Sequence, residues 1–475
     1  MAQSRLARSG ALPNWLAPLA VAASSSLALL LAQWMFANII QAPLYNGYLI
    51  QSWSSDDMMQ TIPIADITSH GFDALWFNHM YPPLLDSVRY LLVLPEVLLG
   101  DEISTQLVDQ RMYVVNALLY GVTNSVLYLW IRDVTGNGWW ALMVTVLWAV
   151  SPGYIMAMQL LETTPIALTL TTTMFFFLFR FLRSRRGIYS VLFLLCLFFL
   201  SLTRNTVQIY GILLLIVTLV YFWRKSNIKK LSFAVLNILL VLLIVALPTK
   251  QSILFGSFDA SSFSGYHRAG MLWVDPRDVP HKPLPTNVAK NASRLKSQFN
   301  NPEQLADNLR LSAAANQLLL TDPLGAARGL GRSLMITTPE LLRPTADYVT
   351  DNLFVLAMPH RNAWNWIDSG WRLPALTALF VFLYLLTSKP VTLRRHIREY
   401  WLFLAYYAIV AAPVLWSNRY WPGEESLGPI WTDSVRLKIF LVPPLLAFAA
   451  YTLKRSVARL ITSSSAPTAT AMSRT

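Results

Sequence analysis

Ten apolar stretches of roughly bilayer length leave this chain few ways to fold. They fall near residues 16–40, 107–131, 138–158, 163–182, 188–203, 206–223, 231–255, 371–387, 400–416 and 436–453. A transmembrane helix needs ~20 predominantly apolar residues, so the shorter runs imply tilt or a shifted boundary. Composition agrees. The chain is 55% hydrophobic and 13% charged, against about 25% charged residues in a soluble domain. The expected fold class is an all-α polytopic membrane protein. It would have about ten transmembrane helices, a large first outer loop and interfacial helices. An even number of spans puts both termini on one side.

Charge distribution orients this layout. With the N-terminus inside, the inner loops hold Arg132, then Arg180, Arg183, Arg185 and Arg186, then Arg224, Lys225, Lys229 and Lys230. Lys389, Arg394, Arg395 and Arg398 come next, and Lys454, Arg455 and Arg459 follow the last run. Asp133 and Glu399 are the only acids on that side. Each short loop obeys the positive-inside rule. The net charge of +13 therefore reflects membrane topology, and no nucleic-acid partner is expected. The basic N-terminal stretch resembles a signal peptide, but the run after it is too long for an h-region and shows no clear A-x-A site. It reads as a retained signal anchor. The single cysteine, Cys196, excludes an intrachain disulfide.

Four regions follow. Residues 1–255 form an N-terminal transmembrane module carrying the first outer loop, 41–105. Residues 256–370 form an outer, partly helical region. Residues 371–455 hold the C-terminal transmembrane helices, and 456–475 form a disordered tail. Within the first loop, 85–99 is apolar but contains Asp86, Arg89 and Glu96, and reads as an interfacial helix. In the outer region, Asn301–Pro302 and Asp322–Pro323 each place a cap before a proline at the first helical position.

The first outer loop is the richest in chemistry. Asp56 and Asp57 closely follow the first apolar run and Trp53. A carboxylate just outside the bilayer suits a general base for a sugar hydroxyl; the plainer reading is a helix cap. Glu162 lies between two runs at the outer side, where a carboxylate near membrane depth is costly; it too sits where it could cap the next helix. Arg204, His267, Arg268, Arg436 and Lys438 lie at outer ends of apolar runs. Such cations suit a phosphate whose lipid tail stays in the bilayer, or simply snorkel to headgroups. The outer tryptophans suit stacking on sugar rings or an interfacial aromatic belt. Adjacent acids diverge, so one of Asp56 and Asp57 is expected to be the base and the other a support, with Asp56 preferred as the base.

In their order, these features resemble the GT-C superfamily of membrane glycosyltransferases, nearest the protein-mannosyltransferase and lipid A aminoarabinose-transferase branch. Asp56–Asp57 stand where that family has its first-loop acid. His79-Met-Tyr81-Pro-Pro-Leu84 is similar to its H-x-x-P-P-L segment, and Glu162-Thr-Thr-Pro165 to its second-loop acid before a helix-opening proline. Leu202-Thr-Arg204 is similar to its L-T-K/R element, and Arg436 to Pro444 is a weaker match to its terminal R-Y-x-x-P-x-x-P. The pattern covers 1 to about 455. The chain departs from the family in having fewer spans than the larger members, no large C-terminal soluble domain, and Leu437 in place of the terminal motif's aromatic residue. The resemblance implies inverting transfer of a sugar from a polyprenyl or dolichyl phosphate to an acceptor hydroxyl on a glycan, lipid or protein. In that reading Asp56, Asp57 and Glu162 are catalytic, and His267, Arg268, Arg204, Arg436 and Lys438 bind the donor phosphate. His79, Tyr81 and Trp53 bind substrate. No cofactor and no metal are expected, and the site faces the outer side of a plasma or inner membrane, or the ER lumen. The alternatives are a lipid-linked oligosaccharide polymerase or ligase, which would rely on arginine and histidine, and a transporter, which would need charges at mid-bilayer and broken helices in repeated halves.

Overall fold

The computed structural model describes residues 15–35, 54–57, 61–204, 212–225, 231–259, 261–295, 300–344, 362–363, 366, 372–388, 390–419, 431–432 and 437–464. These residues are almost entirely helical. Helix α1 is Leu16–Met35; after a 3₁₀ turn at Ser55–Asp57 come α2 (Ile64–His70), α3 (Phe72–Phe77), α4 (Leu84–Leu99) and α5 (Thr105–Thr135). Next are α6 (Gly138–Ala149), α7 (Pro152–Gln159), α8 (Thr164–Ser184), α9 (Gly187–Ser201), α10 (Ile212–Lys225) and α11 (Leu231–Phe255). Then come α12 (Ser264–Leu272), α13 (Thr286–Ala292), α14 (Pro302–Thr321) and α15 (Pro323–Leu342), in the region expected to lie outside. The chain continues through α16 (Arg372–Leu386) and α17 (Pro390–Leu415), then a strand pair, β1 (Asn418–Arg419) with β2 (Trp431–Thr432), and α18 (Val442–Ser464).

Length and composition qualify four helices among the described residues to cross a bilayer: α1, α5, α8 and Ser232–Phe255 of α11. A fifth is gained if α6 and α7 are one span, bent by 67°. Several helices of this kind mark a membrane protein. Two of the ten apolar runs meet helices extending well beyond them. Helix α17 takes in the basic stretch before its apolar run, and α18 runs past the 455 boundary through Lys454, Arg455 and Arg459 to Ser464. Helical propensity continues through Lys and Arg, which lose little rotamer freedom in a helix, so the apolar run alone understates these helices.

The frame is built on α5. Ser104 caps it, its side chain accepting from the Leu107 N–H at 3.2 Å. Gly136, at φ 68°, ends it in the left-handed region that glycine tolerates. Helices α1, α6, α8 and α18 all pack on it. The α1 contact depends on Gly121: a Cβ there would sit 2.1 Å from Ser26 Oγ and 2.4 Å from the Ala22 carbonyl oxygen. Aromatic side chains fill the interior, with Trp130, Tyr154, Phe175, Phe181, Phe193 and Tyr406 among the fully buried ones.

Both outer helix starts behave as their sequences predict. The Asn301 side chain accepts from Gln304 N–H at 2.9 Å, and that of Asp322 from Gly325 N–H at 2.7 Å. Helix α15 then meets the C-terminal end of α17. Thr337 donates to the Leu415 carbonyl at 2.6 Å, and Trp416 Nε1 donates to the Leu330 carbonyl at 3.2 Å.

Candidate active site

The first-loop acid is held by an arginine that the sequence reading placed at an interface. Arg89 is on α4 and completely buried, and its guanidinium pairs with both Asp56 and Asp86, the latter at 3.0 Å. The same group donates to Ser55 Oγ at 3.1 Å and to the Ile62 carbonyl at 2.6 Å. Asp86 accepts in turn from Ile62 N–H at 3.1 Å. Burial raises the Asp86 carboxyl to about 6, against the pull of Arg89. Asp86 and Arg89 of α4 therefore face inward, while Glu96 on the same helix is partly exposed and pairs with Arg111 of α5. A buried charge persists when paired and hydrogen-bonded, and the arginine fork supplies both carboxylates at once.

Asp56 is the hub. One oxygen accepts from Arg89 and from the Ile64 N–H at 3.0 Å, and the other from Thr105 Oγ1 at 2.7 Å. The neighbouring Ser55 N–H donates to Asp109 at 3.2 Å. The 3₁₀ turn is thus pinned to α4, to the start of α2 and to the start of α5. Trp53 and Arg436 lie outside the described residues, as does the Asp57 side chain.

Glu162 lies in a second cluster, 3% exposed just before α8. It accepts a hydrogen bond from Thr164 Oγ1, and Arg204 donates to that same hydroxyl at 2.7 Å. The Arg204 guanidinium lies over the Phe440 ring, 4.8 Å from its centroid. The two clusters share a scaffold. Thr105 and Asp109 of α5 hold the first loop, and Asn116 of α5 donates to the Leu160 carbonyl at 3.1 Å, two residues before Glu162. Seven residues of α-helix separate Asp109 from Asn116, about 10 Å along the axis. A further link joins the proline segment to Arg204's turn: Leu84 N–H donates to the Leu202 carbonyl at 2.8 Å. The segments around Pro83, Glu162, Arg204 and Phe440 are therefore in direct contact, and Asp56 is tied to them through Arg89 of α4 and Thr105 of α5.

His79 and Tyr81 join the first loop to the outer region. His79 is completely buried. Its Nδ1 lies 2.7 Å from Ser262 Oγ, its N–H donates to Asn300 Oδ1 at 2.8 Å, and its carbonyl accepts from Ser262 N–H at 2.6 Å. Burial, with Lys250 nearby, pushes the imidazole down to about 3, so it is neutral. Tyr81 stacks on Phe263 with centroids 5.7 Å apart.

The remaining cations are dispersed. Arg268 pairs with Asp259 and donates to Ser312 Oγ at 2.9 Å. His267 stands edge-on to Phe263. Lys438 is buried and donates to the carbonyls of Leu341, at 3.3 Å, and Arg343. Among the expected phosphate ligands, Arg204 is bonded to the Glu162 cluster through Thr164.

The sequence reading missed Arg89, Asp86, Thr105 and Asp109. The available signal was the i, i+3 pair Asp86–Arg89 inside an apolar helix, a spacing that places both on one face. No family model matches the chain, and no curated protein matches it.

Proposed function

We propose that the chain is an inverting glycosyltransferase using a sugar linked to a polyprenyl or dolichyl phosphate, with its site on the outer side of the membrane. The observation that carries this reading is the joining of four separate segments, the proline segment, Glu162–Pro165, Leu202–Arg204 and the turn at Lys438–Leu441, with the first-loop acid tied to them through α4 and α5. An acid, a buried second acid and an arginine stacked on an aromatic ring supply the parts such a transfer needs. The acceptor oxygen attacks the anomeric carbon as the bond to the lipid phosphate oxygen breaks. A carboxylate takes the hydroxyl proton, and a guanidinium stabilises the departing phosphate.

Asp56 has Arg89 against it and hydrogen bonds on both oxygens. Those bonds tie both of its oxygens to the protein's own groups. We therefore give Asp56 the supporting role and Asp57 that of proton acceptor. Glu162 positions Arg204 through Thr164, and Arg204 meets the phosphate. Transfer assays on Asp56→Asn, Asp57→Asn and Arg204→Ala test this assignment. Asp57→Asn should lose ~10²–10⁴-fold in rate; a wild-type rate in Asp57→Asn would overturn it.

One observation favours a transporter instead: the 67° break between α6 and α7, since transporters use broken spans at their sites. Pro152 at the start of α7 accounts for the break locally. Substrate uptake into proteoliposomes, without chemical change, would support the transporter.

A further inference from the structure

Lys250 sits about 7.5 Å before the end of α11, counting five residues of helix rise, in a helix apolar enough to cross a bilayer. It stands at one end of a groove of about 450 Å³ whose walls are otherwise almost wholly apolar: Trp76, Leu242, Val245, Ala246 and Ile253. The groove opens away from the protein core, since Leu242 is 61% and Ile253 72% exposed. The ammonium lies 5.6 Å from the Trp76 ring centroid and 5.7 Å from that of Phe255. It donates to the Asn78 carbonyl at 3.2 Å. An ammonium has three donors, and among the described residues no carboxylate pairs with this one. A cation at this depth is costly, and such residues are functional by default. The side chain does not reach straight out to water; it is folded between two rings and a loop carbonyl.

We propose that this groove binds an anionic phospholipid of the leaflet at the C-terminal end of α11. Its phosphate would take the remaining Lys250 donors, and one acyl chain would run along Leu242, Val245 and Ala246. A phosphate supplies the missing counter-charge, and an apolar tail fits walls that face the bilayer. The Asn78 carbonyl bonded to Lys250 belongs to a residue whose side chain reaches Asp86 at 3.5 Å, so the lipid also steadies the edge of the first-loop network. This site is separate from the donor phosphate site proposed at Arg204 and stands or falls independently of it.

Native mass spectrometry of the detergent-purified full chain, titrated with phosphatidylglycerol, tests the proposal. Loss of a charge-assisted bond predicts about a tenfold or greater weakening of the tightest lipid adduct in Lys250→Met. Ala246→Trp fills the groove while keeping the ammonium, and should weaken the same adduct; it carries the test if Lys250→Met does not fold. Lys454→Met, at the opposite end of the helices, should leave it unchanged. Wild-type affinity in both groove variants would overturn the proposal. So would displacement of the adduct by equimolar polyprenyl phosphate, which would make the groove the donor's, or by inorganic phosphate, which would show that no lipid tail is needed.

Discussion

Removing Arg89 should release the first loop. The side chain is fully buried and bonded to two carboxylates, a hydroxyl and a backbone carbonyl. Arg89→Met leaves Asp86 buried with no cation, and breaking a buried pair in this way costs ~3–5 kcal/mol. The cost falls on the local opening of residues 54–83 rather than on the whole membrane bundle. When opening and closing are fast relative to cleavage, protease sensitivity follows the open population. Chymotryptic cleavage at Phe72, Trp76 and Phe77 should therefore accelerate by about two to four powers of ten. Arg89→Lys keeps a charge but not the fork, and should fall between. Arg89→Met combined with Asp86→Leu should recover much of the protection, because no buried charge of that pair is then left alone. Cleavage of Arg89→Met at the wild-type rate would refute the buried network.

Three further outcomes follow from the geometry. His79 is held neutral, its pKa lowered from 6.5 to about 3, so its contribution to loop protection is full above about 6.5 and falls as pH drops toward 3. Asp86 has the opposite sign, since its pKa is raised from 3.8 to about 6 and protection grows as pH falls through that interval. Relative to wild type, His79→Gln should thus gain protection on acidification and Asp86→Asn should lose it, measured by proteolysis between pH 4 and 7. Gly121→Val should push α1 off α5, because even a Cβ meets Ser26 and Ala22, and a disulfide engineered between the two helices should form more slowly. For topology, a cysteine at Ser297 should label from the outer side of intact cells and one at Ser388 should not; the reverse would break the proposed orientation.

The sequence disclosed local features well and long-range ones poorly. The caps at Asn301 and Asp322 were legible because a cap and the proline after it act within a few residues. The helices were legible from their apolar runs, though charge did not stop α17 or α18 where hydropathy did. The direction in which α4 turns Asp86 and Arg89 was not legible. Periodicity reports which residues share a face, not whether a partner waits there, and Arg89's partner Asp56 lies 33 residues away. The same limit hid the pairing of His79 with Ser262, 183 residues apart. The family resemblance gives that imidazole to substrate; in the fold it is buried and also joins the first loop to Ser262.

The central claim is that this chain moves a sugar off a lipid phosphate. The most direct measurement is release of free polyprenyl phosphate by the purified protein in nanodiscs. Polyprenyl-phosphate hexoses and pentoses are supplied with a membrane lipid and glycan extract as acceptor, and the products are followed by mass spectrometry. Protein-dependent release is expected, with sugar appearing on an acceptor in inverted configuration. Release should fall ~10²–10⁴-fold in Asp57→Asn and about 10–100-fold in Arg204→Ala, the loss of a charge-assisted bond worth ~1.5–3 kcal/mol. Release at the protein-free level with every donor, or equal release by wild type and both variants, would contradict it.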